Sequence, residues 1–197
     1  MRQIGRIKQV QVQRSSLKRG VKPARYYDPA PIQLVERLLL APEGVTGISA
    51  AGESLLDIHN STHPESKNID GINGISLSFT SHYRAMRTQF GSHLLDGIAG
   101  ENILIETEEE FKLEALGEYV ALQAQEGGKM LYLEQLEVAA PCIEFSLFAL
   151  GEQMFMPAEL VRATLIFLNE GRRGFYATFQ GEESFAVCAG MGVFIKN

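Results

Sequence analysis

Two short runs of this chain carry residue types that could do chemistry. Leu136-Glu-Val-Ala-Ala-Pro-Cys-Ile-Glu-Phe145 holds Cys142, one of two cysteines. About forty residues upstream lies Gly97-Ile-Ala-Gly-Glu-Asn-Ile103, a compact glycine-polar turn. Pro141 suits the first turn of a helix, with Ile143, Phe145, Leu147 and Phe148 as its buried side and Gly151 as its stop. A cysteine in a first helical turn faces unpaired backbone N–H groups, which stabilise a thiolate and lower the thiol pKa. A thiolate is what a soft transition metal or a persulfide transfer requires. Glu144 opposes that effect, and a buried, inert cysteine is the competing reading. Cys188, in Phe185-Ala-Val-Cys-Ala-Gly190, reads as structural.

Glycine lets the backbone approach a ligand closely, so Gly100 marks a place of contact. Asn102 offers a donor and an acceptor, and Glu101 offers acceptors that suit a pterin's amine and ring N–H groups. The alternative is a turn in which Asn102 bonds its own backbone. His59 and His63 are four residues apart, a zinc spacing on a helix. The intervening residues and Pro64 argue for a loop, in which the two histidines cap or orient. Asp57, Glu65 and Asp70 read as solvated loop acids. No nucleophile-elbow, P-loop or Rossmann glycine pattern occurs, which removes support for those chemistries.

The elements that position these residues are mostly strands. Ile4–Val12 alternates as a first strand. Residues 15–31 read as loop, with Gly20, Pro23, Pro29 and Pro31. Val35–Leu40 forms a second strand, turned by Pro42-Glu-Gly44. Residues 49–72 are irregular, and so long an irregular stretch is often functional. Ser76–Phe90 is the clearest helix, with Phe79, Tyr83, Met86 and Phe90 as an apolar stripe and Gly91 as its stop. Ile103–Ile105 starts a strand, and Glu106–Glu110 forms a solvated acidic turn. Tyr119–Ala124 and Met130–Val138 are strands joined by a Gly127-Gly128 turn. Pro157–Leu168 forms a second helix. Phe175–Phe179 and Gly192–Ile195 are the last strands. The pattern predicts a mainly β protein, a barrel or curled sheet with a few covering helices.

Bulk properties bound the function. The 197 residues suffice for one large domain, with 45% hydrophobic and 21% charged content. No apolar run reaches the ~20 residues of a membrane-spanning helix, and no secretory signal is recognisable. Two cysteines make no disulfide framework, so a cytoplasmic setting with reduced thiols is expected. The net charge of −6 hides an asymmetry: residues 1–27 carry eight Lys/Arg and no acid. Those cations are spread through a strand pattern, which favours pairing with the acidic remainder over nucleic-acid binding.

Taken together, the motifs resemble the MOSC family, the domain named for the C-terminal part of molybdenum cofactor sulfurases. Gly97–Ile103 resembles that family's G-x-x-GEN signature, and Val138–Cys142 resembles its segment ending in Pro-Cys. Leu56-Asp-Ile-His59 with His63-Pro-Glu-Ser66 resembles its polar loop, and Gly171-Arg-Arg-Gly-Phe-Tyr176 its late glycine-aromatic strand. The match runs from about Gly5 to Ile195, so residues 1–197 are read as one such domain.

The resemblance implies a MOSC-type barrel, similar to the pyruvate kinase barrel. Cys142 would be the metal-binding or persulfide-carrying residue. Gly100, Glu101, Asn102, His59, His63 and Arg172 would hold a molybdenum cofactor (Mo-molybdopterin). Pyridoxal phosphate is associated with the family only at domain level. Three functions follow: reduction of N-hydroxylated compounds, a sulfur carrier, or a non-catalytic binding module. The partner would be an electron-transfer protein or a cysteine desulfurase, with no nucleic acid and no membrane, and the oligomeric state stays open. One departure bears on all three. Many family members place an arginine three residues before the cysteine, where this chain has Ala139; Lys67, Arg84, Arg87, Arg172 and Arg173 are the available substitutes.

Overall fold

The computed structural model describes residues 1–124, 128–151 and 156–196. Its strands begin with β1 (Arg2–Gln13), β2 (Lys18–Arg19), β3 (Tyr26–Tyr27), β4 (Ile32–Val35), β5 (Arg37–Ala41), β6 (Gly44–Ile48), β7 (Ser54–Leu56) and β8 (Ile75–Phe79). Helix α1 (Thr80–Phe90), β9 (Ile103–Glu106), the single turn α2 (Leu113–Leu116), β10 (Tyr119–Gln123) and β11 (Met130–Val138) follow. Helices α3 (Ile143–Ala149) and α4 (Ala158–Asn169) precede β12 (Phe175–Phe179), β13 (Phe185–Cys188) and β14 (Gly192–Ile195).

Seven strands close into a barrel in the order β14-β10-β11-β12-β8-β9-β1, with β1 returning to β14. Simple up-down alternation cannot close an odd ring, so one neighbouring pair must be parallel. That pair is β8 and β9, in register Leu77 to Ile103 and Phe79 to Ile105. Parallel neighbours need a crossover, and α1 supplies it. All five residues of β8 are buried, as expected of a strand covered on both faces. The protein is therefore mainly β, a barrel with a few covering helices.

β1 is long enough to serve three partners. Its start pairs with β14, its middle with β9 and its end with β4. A second sheet, β13-β5-β6-β7, lies against the barrel. Leu38, Leu40, Val45, Leu55 and Val187 from that sheet share one core with Ile7, Val10 and Val12 of β1. Gly47 allows the approach, because a Cβ there would stand 2.8 Å from both Val12 and Val35. A separate cluster, with Leu17, Tyr27, Tyr83, Met86, Leu94, Leu104, Phe145 and Leu168, ties the helices to the outer wall.

Several elements differ from the sequence expectation. The helix expected over Ser76–Phe90 begins only at Thr80, and its first four residues belong to β8. Ile75, Leu77 and Phe79 alternate with Ser76 and Ser78, a period of two that overlaps the helical stripe at Phe79. The strand expected over Val35–Leu40 is two strands, β4 and β5, divided at Glu36. The hairpin strands β2 and β3, expected as loop, the strands β6, β7 and β13 and the turn α2 also lie outside the expected elements. On α3, Ile143 is exposed and Glu144 is buried, the reverse of the expected pattern. Cys188 is exposed on β13. Gly127 of the expected glycine turn lies outside the described residues. The basic N-terminal stretch pairs with acids from the remainder, including Arg2 with Glu109 and Lys8 with Asp96, both at 2.7 Å. Among the described residues no helix is long and apolar enough to cross a membrane.

Candidate functional site

The outer face of the barrel wall carries Gln13 at the end of β1, Ser76 on β8 and Tyr176 opposite it on β12, while their neighbours Val12, Ile75 and Phe175 face the core. The β2–β3 hairpin and the loop after β7 rise over that face. Between them lies a cavity of about 510 Å³, within the range that holds a small ligand or cofactor. Cys142, Gly100 and His59 line it, as do three cationic side chains, Lys18, Lys67 and Arg173. Tyr27 and Tyr176 supply aromatic walls, and Glu65 is the one lining carboxylate among the described residues.

Cys142 sits one residue outside the position expected of it. It is the N-cap of α3, with an extended backbone at φ −104° and ψ 161°. Its Sγ accepts from the Phe145 N–H at 3.4 Å, and its carbonyl accepts from Ser146 Oγ and N at 3.0 Å. The thiol is half-buried and unpaired with any other cysteine. Burial works against ionisation of Glu144 beside it. Hydrogen bonds from the Glu144 N–H, Arg25 and the Cys142 thiol prevail and hold that carboxyl below its ordinary range.

The loop after β7 is anchored by a buried carboxylate. Asp57 is fully buried, not the solvated acid expected of a loop. Its Oδ2 accepts from Gln13 N at 2.7 Å and from Asn102 Nδ2 at 2.8 Å. Its Oδ1 accepts from His59 N and His59 Nδ1, each at 2.9 Å. The carboxylate therefore holds the imidazole by one nitrogen and leaves Nε2 free beside the cavity. His63 does not line the cavity; its Nδ1 accepts from Glu65 N at 3.1 Å and shapes the loop.

The glycine-polar turn divides its work. Gly100 lines the cavity at φ +87°, and a Cβ there would stand 2.7 Å from Leu17 Cδ1, so only glycine fits this backbone. Asn102 lies behind the wall. Its Oδ1 accepts from Ser76 N and Oγ at 3.0 Å, and its Nδ2 donates to Asp57 and to Gln11 O. Its side chain is fully engaged within the protein, so it braces three segments and has no group left for a ligand. Glu101 is also interior, with Tyr83 donating to Oε2 at 2.8 Å and Oε1 unpartnered. Burial pushes its carboxyl up to about 7, against the pull of its own backbone N–H, Tyr83 and Arg173.

Of the arginines near the late glycine turn, Arg172 was the expected ligand, but the structure puts Arg173 at the cavity. Adjacent residues in a tight turn point to opposite sides. Arg172 stacks at 4.2 Å on Phe167 and pairs with Glu170 at 2.9 Å and Glu110 at 3.5 Å. Arg173 instead lies 4.9 Å over the Phe145 ring, beside the helix that Cys142 caps. Burial disfavours its charge, but Tyr27, Tyr176, Tyr83 and Glu101 together reinforce it. Arg84 and Arg87 are occupied elsewhere, by Glu108 at 2.8 Å and Asp96 at 2.7 Å. Ala139 is buried and Ala140 lines the cavity, so cationic charge comes from Arg173, Lys67 and Lys18 instead.

Sequence reasoning missed Lys18, Tyr27 and Asp57. The signal for the first two was Leu17 and the Tyr26-Tyr27 pair, apolar residues inside a stretch otherwise composed like a loop. Asp57 continues the inward face of Leu55 two residues before it, but the sequence Ser-Leu-Leu shows no alternation that would signal it.

The chain matches no model of a known protein family. No curated protein matches it either. Among solved structures, the YuaD protein from Bacillus subtilis has a similar fold, with a TM-score of 0.56 over 96% of this chain and 93% of that one. At 14% identity this likeness shows the fold alone.

Proposed function

We propose that the chain is a molybdenum-cofactor-binding protein of the MOSC kind, a reductase of N-hydroxylated compounds that takes electrons from a separate protein. The observation that carries this reading is one cavity lined by the Cys142 thiol and three cations, Lys18, Lys67 and Arg173. A thiolate is a soft donor suited to a heavy transition metal. Cationic side chains suit the anionic groups of a phosphorylated pterin. The volume of about 510 Å³ accommodates such a molecule. The donor set thus fits the group.

Cys142 would hold the metal. Arg173 and the two lysines would hold the anionic groups, and Gly100 would admit the ligand close to backbone. When bound, the cofactor supplies the two-electron chemistry that removes oxygen from nitrogen. Tyr27 and Tyr176 narrow the cavity and limit water around the reacting atoms. Asn102 and Asp57 position the loop that carries His59.

The test is metal and pterin content after expression in a cofactor-competent host. The expected result is molybdenum and pterin bound together in wild type, with molybdenum lost in Cys142→Ser. A wild-type protein without molybdenum, or equal molybdenum in Cys142→Ser, overturns the reading.

A sulfur carrier is the second reading, and one observation favours it. The Cys142 thiol is half-buried, lines the cavity and pairs with no other cysteine. Cys142 is then the single soft donor, and a lone accessible thiol is sufficient for a persulfide. Mass spectrometry after treatment with a cysteine desulfurase and cysteine separates the two. An added sulfur atom on Cys142 in metal-free protein favours the carrier.

A further inference from the structure

The geometry points to His59 as the cavity's proton donor, presenting Nε2 to the bound substrate while Asp57 holds the ring by Nδ1. This assignment rests on the reductase reading for the reaction it serves, but its structural part stands without it. The His59 side chain is 34% exposed and lines the same cavity as Cys142, whereas Asp57 is fully buried. Asp57 accepts four hydrogen bonds, from Gln13 N, Asn102 Nδ2, His59 N and His59 Nδ1. A buried carboxylate so fully engaged is a fixed acceptor, and it sets both the tautomer and the tilt of the imidazole. A second bond, from Asn68 Nδ2 to the His59 carbonyl at 2.9 Å, restrains the backbone of the same residue.

The groups around this imidazole are Asp57, Glu65 and Lys67 on its own loop, Tyr176 on β12, and Lys18 and Arg173 elsewhere in the lining.

Reduction of an N-hydroxylated compound breaks the N–O bond with two electrons and two protons. The electrons come from a reduced electron-transfer protein. One proton passes from His59 Nε2 to the departing hydroxyl, which leaves as water. The second proton comes from solvent and remains on nitrogen. His59 is then reprotonated from solvent through the open side of the cavity.

Two measurements test the assignment. The first uses cofactor-free protein with ¹⁵N-labelled histidine, with the His59 signals identified by their loss in His59→Gln. The expected ring keeps its proton on Nδ1 throughout, and Nε2 gains its proton on acidification; Asp57→Asn should shift the neutral ring towards the Nε2–H tautomer. A neutral wild-type ring protonated on Nε2 overturns the assignment. The second uses molybdenum-loaded protein, an N-hydroxylated substrate and a reduced viologen. His59→Gln should retain molybdenum and lose about 100-fold in kcat/KM, together with the alkaline fall of the pH profile. An unchanged pH profile in that variant overturns the assignment. Absence of molybdenum from wild type defeats the reductase reading alone, and the NMR measurement still decides the orientation of His59.

Discussion

Glu101 shows how far a residue's role depends on its surroundings. In the sequence it is an acid in a polar turn, available to a ligand. In the structure it is buried, with Tyr83 on one oxygen and nothing on the other. Its carboxyl sits at about 7 against an ordinary 4.5, chiefly through burial. The folded state therefore holds the proton that the unfolded state releases. Stability contributed by the neutral acid is complete below pH 4.5 and lost as pH rises through about 7. The loss is on the order of 3 kcal/mol by pH 8. Urea denaturation between pH 5 and pH 8 should show this decline in wild type and a much flatter curve in Glu101→Gln. His82 behaves in the opposite sense. Burial lowers its pKa to about 4 from 6.5, so its contribution is complete above 6.5 and lost as pH falls through about 4. Arg173 is the other lesson at this scale. Composition offered five candidate cations in place of the arginine missing at Ala139, and only the turn geometry separates Arg173 from Arg172.

At the scale of elements, the crossover β8–α1–β9 and the loop after β7 are joined through Asn102. That side chain bonds Ser76 at the start of β8, Gln11 on β1 and Asp57 below His59. Replacing it with alanine leaves the Ser76 N–H without its side-chain acceptor and Asp57 without one of its donors. The expected cost is about 3 kcal/mol, read from the urea midpoint. Asn102→Asp should cost more near neutral pH, because it sets a second carboxylate against Asp57, and part of the loss should return on acidification. The glycine-polar turn was legible in the sequence as a special place. Its division of labour was not, because Gly100, Glu101 and Asn102 face different directions and no spacing rule states which faces the cavity. The start of α1 was misjudged for a related reason. Phe79 satisfies both the period of a strand and the period of a helix, and only its pairing with Ile105 of β9 assigns it.

For the whole molecule, closure is the decisive event. β1 closes the ring between β14 and β9, with a register shift against β14 between Gln3 and Gly5 and another against β9 between Ile7 and Gln9. At Gly5 a Cβ would stand 2.2 Å from the Glu106 carbonyl oxygen, so a side chain must push two strands apart. Gly5→Val should destabilise the fold by about 3 kcal/mol. Hydrogen exchange should then show the pairing of β1 with β9 around Gly5 opening below the global unfolding energy, whereas in wild type it stays closed until the barrel unfolds. Closure also creates the site. The outer face of the wall gathers residues 13, 76, 100, 142 and 173 from chain positions that are far apart. The chain is acidic overall at −6, yet this cavity concentrates cations, so local charge and net charge have opposite signs there.

By itself the sequence determined the predominance of strands, the helical pattern after Phe79, and the two runs that hold Cys142 and Gly100. Alternation, stop residues and turn chemistry are local, and local rules suffice for them. It also placed His59 in a polar loop worth attention. Only the tertiary structure decided which residues of those runs face the cavity. Side-chain direction at a strand end depends on what the neighbouring strand presents, and those neighbours are set by barrel closure. That is why Asp57 is buried, Asn102 is a brace, Arg173 replaces Arg172, and Lys18 and Tyr27 complete a site that no stretch of chain contains.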